Sequence, residues 1–319
     1  MHSTRTCFQS SLFLLLMMAF SAPAWAQKTI TIHPVKKDTT DTEKTRIRDY
    51  YTDTLFKFIP GTQPVNDPKA PEAELLYEKG LILAKGGKYK DAIEVFSRSL
   101  ALLENSNTYM RRGFAYLLLD NNPLAIQDFN DAIRLIPGNR RAVLGRGIAR
   151  YQLNDLEGAN GDLQAYLKFD TTNAIAYNYM AAVCFLRNDY SGALANYDAV
   201  VRLDTTYPDI FANRGMMRHY LRDFNGAIAD YERALRIKPG KPTTYNNRAA
   251  AYMMLNEFGK AEADLTKAIE IDPMYADAYD NRGRVRQRLG DLPNACQDWQ
   301  KAWSLGLQSS RDLILKYCK

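Results

Sequence analysis

Histidine, cysteine and long apolar runs are scarce in this chain of 319 residues. Three His and four Cys leave little material for a metal centre or a histidine-based catalytic site. No H-E-x-x-H, C-x-x-C or G-x-x-x-x-G-K-[ST] occurs, and Gly86-Gly87-Lys88 and Gly240-Lys241 are isolated fragments. No catalytic residue, metal ligand or cofactor site is therefore expected. A dominant charge is missing too: 42 Lys+Arg against 36 Asp+Glu give only +6. A nucleic-acid binder usually clusters such charge on one face, so nucleic acid is not an expected partner. Beyond the N-terminus no stretch reaches about 18 uncharged apolar residues, which excludes an integral membrane helix there. With 46% hydrophobic and 24% charged residues, the composition is that of a folded chain.

Residues 1–26 read as a signal peptide. Arg5 supplies the positive start, Leu12 to Phe20 a short apolar run, and Ala24-Trp25-Ala26 the small-x-small cleavage site. The mature chain is expected to begin at Gln27 and to be exported, to a periplasm. Residues 27–72 read as a flexible leader and linker. Gln27 to Arg48 is rich in Thr, Lys and Asp, and Tyr50, Tyr51, Leu55, Phe56, Phe58 and Ile59 form a short apolar cluster suited to docking. Pro60, Gly61, Pro64, Pro68 and Pro71 then break any regular helix.

From residue 73 the chain is periodic. Ala92, Ala125, Ala159, Ala193, Ala227, Ala261 and Ala295 follow one another at spacings of 33 and then 34. Twelve residues before each stands Gly80, Gly113, Gly147, Ala181, Gly215, Ala249 or Gly283. Four after each stands Phe96, Phe129, Leu163, Tyr197, Tyr231, Leu265 or Trp299. Pro137, Pro239 and Pro273 fall twelve after, where a second helix must stop. Small residues at fixed points let paired helices approach closely, and large ones fill the space beside them.

This pattern resembles the tetratricopeptide repeat (TPR), a helix–turn–helix of about 34 residues. The resemblance implies an all-α superhelical solenoid of seven repeats: 73–105, 106–139, 140–173, 174–207, 208–241, 242–275 and 276–309. A capping helix over 310–319 closes the array, with Leu313, Ile314 and Tyr317 turned inward. The ending Ala295-Cys296-Gln297-Asp298-Trp299, then Tyr317-Cys318, resembles exported TPR proteins of Bacteroidetes-type bacteria. Gly86-Gly87, Asn121-Asn122, Asn154-Asp155, Asn188-Asp189 and Gly290-Asp291 are expected at the turns.

Five repeats carry a covarying pair. Arg112, Arg146, Arg214, Arg248 and Arg282 occur only where Asp128, Asp162, Asp230, Asp264 and Asp298 also occur. The first repeat has Lys79 with Val95, and the fourth has Met180 with Asn196. Structural ion pairs between the two helices are expected. Cys296 and Cys318, 22 residues apart, suit a disulfide between the last repeat and the cap, while Cys184 is expected in the core.

The TPR resemblance places Asn213, Asn247 and Asn281 on the inner groove, where an amide both donates to and accepts from a ligand backbone. Met216, His219, Tyr220, Met253, Met254, Arg284 and Arg288 are expected beside them, which suits a peptide with apolar and acidic residues. Asn107, Arg111 and Arg141 only loosely approximate a carboxylate clamp, so capture of a chaperone tail is not expected. The functional expectation is a non-enzymatic scaffold for protein or peptide segments in the cell envelope. Self-association and service as an accessory subunit of a secretion or envelope-assembly complex are the alternatives.

Overall fold

The computed structural model describes Lys44, Arg46, Ile47, residues 67–205 and residues 208–318. The expected signal peptide, most of the leader and its apolar cluster lie outside the described residues. Two compact units divide between Asn188 and Asp189. In the first unit lie α1 (Ala70–Lys85), α2 (Tyr89–Leu102), α3 (Ser106–Leu118), α4 (Asn122–Leu135), α5 (Arg140–Gln152), α6 (Leu156–Leu167) and α7 (Ala174–Leu186). In the second lie α8 (Tyr190–Leu203), α9 (Pro208–Tyr220), α10 (Phe224–Ile237), α11 (Pro242–Met254), α12 (Phe258–Ile271), α13 (Ala276–Leu289), α14 (Leu292–Ser304) and α15 (Ser309–Tyr317). No strand occurs among the described residues.

Odd-numbered helices up to α13 open repeats and even-numbered ones close them. All seven anchor alanines are 0% exposed, and in the six repeats that lie within a single unit each sits where its helix meets the partner. The small-and-large pairing is equally direct. A Cβ on Gly80 would come within 2.4 Å of Phe96, and one on Gly283 within 2.5 Å of Trp299. Four residues after the anchor, the large side chain takes the volume that glycine leaves open. Phe96, Phe129, Tyr231 and Trp299 are wholly buried, each contributing about 1.5–3 kcal/mol by leaving water.

Seven left-handed residues make the turns, each five before its anchor: Gly87, Asp120, Asn154, Asn188, Arg222, Asn256 and Gly290. In the second repeat the turn residue is thus Asp120 rather than Asn121. Arg222-Asp223 and Asn256-Glu257 make two further turns, without glycine. An aspartate often follows the turn and caps the next helix, as Asp155, Asp189, Asp223 and Asp291 accept from the N–H three residues on. Helices α4, α10 and α12 end two residues before Pro137, Pro239 and Pro273. Helix α1 begins at Ala70 with Pro71 in its first turn, three residues ahead of the expected repeat start.

The last helix is tied down covalently. Cys296 and Cys318 form a disulfide with Cα atoms 5.7 Å apart, and the Trp299 and Tyr317 rings lie 5.7 Å apart beside it. Cys184 is buried in α7. No helix of the described residues is long and apolar enough to cross a membrane.

Candidate ligand-binding groove

In the second unit, α9, α11 and α13 carry the expected groove residues. Asn213 is half-buried, Tyr220 is 36% exposed, Met254 is half-buried and Arg288 is exposed. Met216 and Met253 are buried at 3% and 1%. Asn247 and Asn281 are also buried, at 2% and 1%. Their surroundings are polar: Asn281 Nδ2 donates to Asn246 Oδ1 at 2.8 Å, and Asn246 Nδ2 donates to Asn247 Oδ1 at 3.4 Å. This amide chain joins α11 to α13. The three asparagines therefore differ in access: Asn213 meets solvent, whereas Asn247 and Asn281 form a fixed polar floor.

His219 lies 8% exposed against the edge of Phe224, ring centroids 5.1 Å apart. Its Nδ1 finds no hydrogen-bond partner among the described residues. Burial without an acid nearby pushes its pKa down to about 4, so the ring is neutral at neutral pH. Beside it Tyr220 stacks on Tyr190 of α8, centroids 4.4 Å apart and planes within 5°. Arg284 Nε donates to Asp280 Oδ2 at 2.6 Å, and Asp280 Oδ1 accepts from Ser310 Oγ of α15 at 2.6 Å. The cap helix thus fixes the acid that holds Arg284. At the other end, Lys241 pairs with Asp209. No group of three or more His, Cys, Asp or Glu able to hold a metal occurs among the described residues.

Away from these residues the arginines form clips. Arg112 donates Nε and Nη2 to both oxygens of Asp128, at 2.8 and 2.7 Å. Arg146–Asp162, Arg214–Asp230, Arg248–Asp264 and Arg282–Asp298 repeat the same fork. Burial alone would lower the Arg112 guanidinium's pKa, but the hydrogen bonds and charge of Asp128 raise it.

Two features of the clips escape a sequence reading. The third nitrogen often reaches the closing helix of the preceding repeat: Arg112 to Ser97, Arg146 to Asn130, Arg214 to Asp198 and Arg282 to Thr266. Three aspartates also hold a second arginine, Arg150, Arg218 or Arg286. Tyr116 and Tyr252 occupy that second place in two other repeats, beneath Arg112 and Arg248. The signal was present four residues after each clip arginine, but its meaning depended on knowing the helix pairing. In the fourth repeat Asn196 instead donates to Gly192 O of its own helix.

Family models described as tetratricopeptide repeat match residues 51–107, 110–174 and 242–275, and a TPR repeat model matches 217–256. Among curated proteins, RNA polymerase II-associated protein 3 of Xenopus tropicalis is 34% identical over 113 residues. That match spans 35% of this chain and 17% of the relative. The C-terminal part of a TPR repeat-containing protein from Cytophaga hutchinsonii superposes with TM-score 0.58 and 20% identity, covering 76% of this chain and 98% of that one. YrrB, described as a TPR protein with an unusual peptide-binding site, superposes at 0.52 with 20% identity, over 59% of this chain and 97% of its own. Together with the six helix pairs that lie within a single unit and their shared packing positions, these matches establish that the chain belongs to the tetratricopeptide-repeat family.

Proposed function

We propose that the protein is a non-enzymatic scaffold that binds protein or peptide segments along the α9–α11–α13 face of its second unit, in the cell envelope. One observation carries the reading: that face combines a solvent-reaching amide, Asn213, with accessible aromatic and thioether groups, Tyr220 and Met254, over the polar floor of Asn246, Asn247 and Asn281. A ligand gains backbone hydrogen bonds from the amides and apolar contact from the side chains. Arg288 at one end favours an acidic residue there. The peptide-binding site in YrrB's description lends the reading support by analogy only.

Export rests on residues 1–26, with cleavage after Ala26 and periplasmic residence. Envelope extract is thus the source in which a partner is sought. The test is capture of partners by the wild-type chain and by Tyr220→Glu/Met254→Glu. The variant should lose the partners while keeping its helical circular dichroism. Equal capture by both chains would overturn the groove assignment.

A further inference from the structure

Ahead of the repeats, three described residues report where the leader rests. Lys44, Arg46 and Ile47 are helical, and Lys44 Nζ pairs with Asp120 Oδ2 at 2.7 Å. Asp120 is the left-handed residue that turns α3 into α4. Ile47 stands three residues after Lys44, on the same side of a helical turn. It is 2% exposed, although it lies well before α1 in the chain. An isoleucine so deeply buried needs an apolar wall, and the Lys44–Asp120 pair brings this turn against the second repeat.

We propose that the α3–α4 turn of the first unit is a docking site for a helical segment of this same chain, held by Lys44 on Asp120 and by Ile47 in the apolar surface beside it. The two units then divide their roles. The first accommodates an internal helical ligand with a basic residue and an aliphatic one three positions later. The second keeps its groove for ligands in trans, a division that rests on the function proposed above. Docking at one rim by an exposed ion pair contributes little by itself, so Ile47 carries most of the affinity and Lys44 sets register.

Trypsin tests this in the full chain, because Arg46 lies inside the docked turn. Ile47→Asp lies outside the repeats and should leave the helical signal unchanged while raising the initial cleavage rate after Arg46 at least tenfold. Asp120→Lys should raise it several-fold, and adding Lys44→Asp should bring it back by restoring an opposite pair. A labelled peptide of residues 40–52 should bind the Ile47→Asp chain at least tenfold more tightly than wild type, whose site is filled. Equal cleavage of wild type and Ile47→Asp, or equal peptide binding by both, would overturn the proposal. Neither result bears on the second unit's groove, whose failure would show instead in the Tyr220→Glu/Met254→Glu comparison.

Discussion

Asn281 of α13 donates a 2.8 Å hydrogen bond to Asn246 of α11, and both amides are withdrawn from solvent. Two successive repeats are thereby joined by a buried polar contact. Such a contact fixes the relative rotation of the helices, since a slipped arrangement would leave buried amides without partners. Asn246→Ala removes the acceptor, and chemical denaturation should show a loss of about 1–3 kcal/mol. A change below about 0.3 kcal/mol would mean that the amide chain does not hold the floor.

The arginine clips should differ in cost according to what each aspartate retains. Arg248→Met leaves buried Asp264 beside Tyr252 with the forked cation gone, and should cost about 3 kcal/mol. After Arg214→Met, Asp230 keeps Arg218 at 2.9 Å, so the loss should be nearer 1–2 kcal/mol. Binding should persist in both variants. Preserved melting with lost binding would make these arginines functional instead.

Much of this fold was legible because the repeat prints its packing rules seven times. The anchor alanines, their glycines and their aromatics recur together, so helix pairing followed from spacing alone. The Arg–Asp forks were legible for the same reason, as presence and absence coincide in one sequence. Groove exposure was less legible. Asn213, Asn247 and Asn281 share one repeat position, yet their access depends on the neighbour: Asn246 stands one residue before Asn247, where α9 has Ala212. The turn at Arg222 was also hidden, because its left-handed backbone is imposed by the flanking helices and not by a glycine.

Reduction of the Cys296–Cys318 bond frees α15 from α14. Closing a 22-residue separation stabilises by roughly 3 kcal/mol on the chain-entropy account. Melting with and without reductant should show that loss first in protection of residues 309–317 against hydrogen exchange. Unchanged exchange there would show that Trp299 and Tyr317 hold the cap without the bond.

His219 gives the second unit an acid-sensitive point. Its pKa falls from an ordinary 6.5 to about 4 on folding, because burial beside Phe224 disfavours the imidazolium. The unfolded chain therefore binds the extra proton first. This contribution is intact above pH 6.5 and declines as pH falls toward 4, by about 3 kcal/mol in total. Stability of wild type and His219→Leu, compared across that window, isolates it from the carboxylates. Parallel curves would contradict the buried neutral imidazole.

Export has its own check. N-terminal sequencing of protein recovered from its native host should begin at Gln27, after Ala24-Trp25-Ala26. Intact residues 1–26 would contradict the cleavage site.

The groove itself is tested most directly by site-specific photo-cross-linking in envelope extract. A benzophenone amino acid would replace Tyr220 or Met254 on the groove face, or Ile237, which is 45% exposed at the end of α10. The account predicts partner adducts from positions 220 and 254 and none from 237. Adducts from 237 alone, with positions 220 and 254 silent in folded protein, would contradict it.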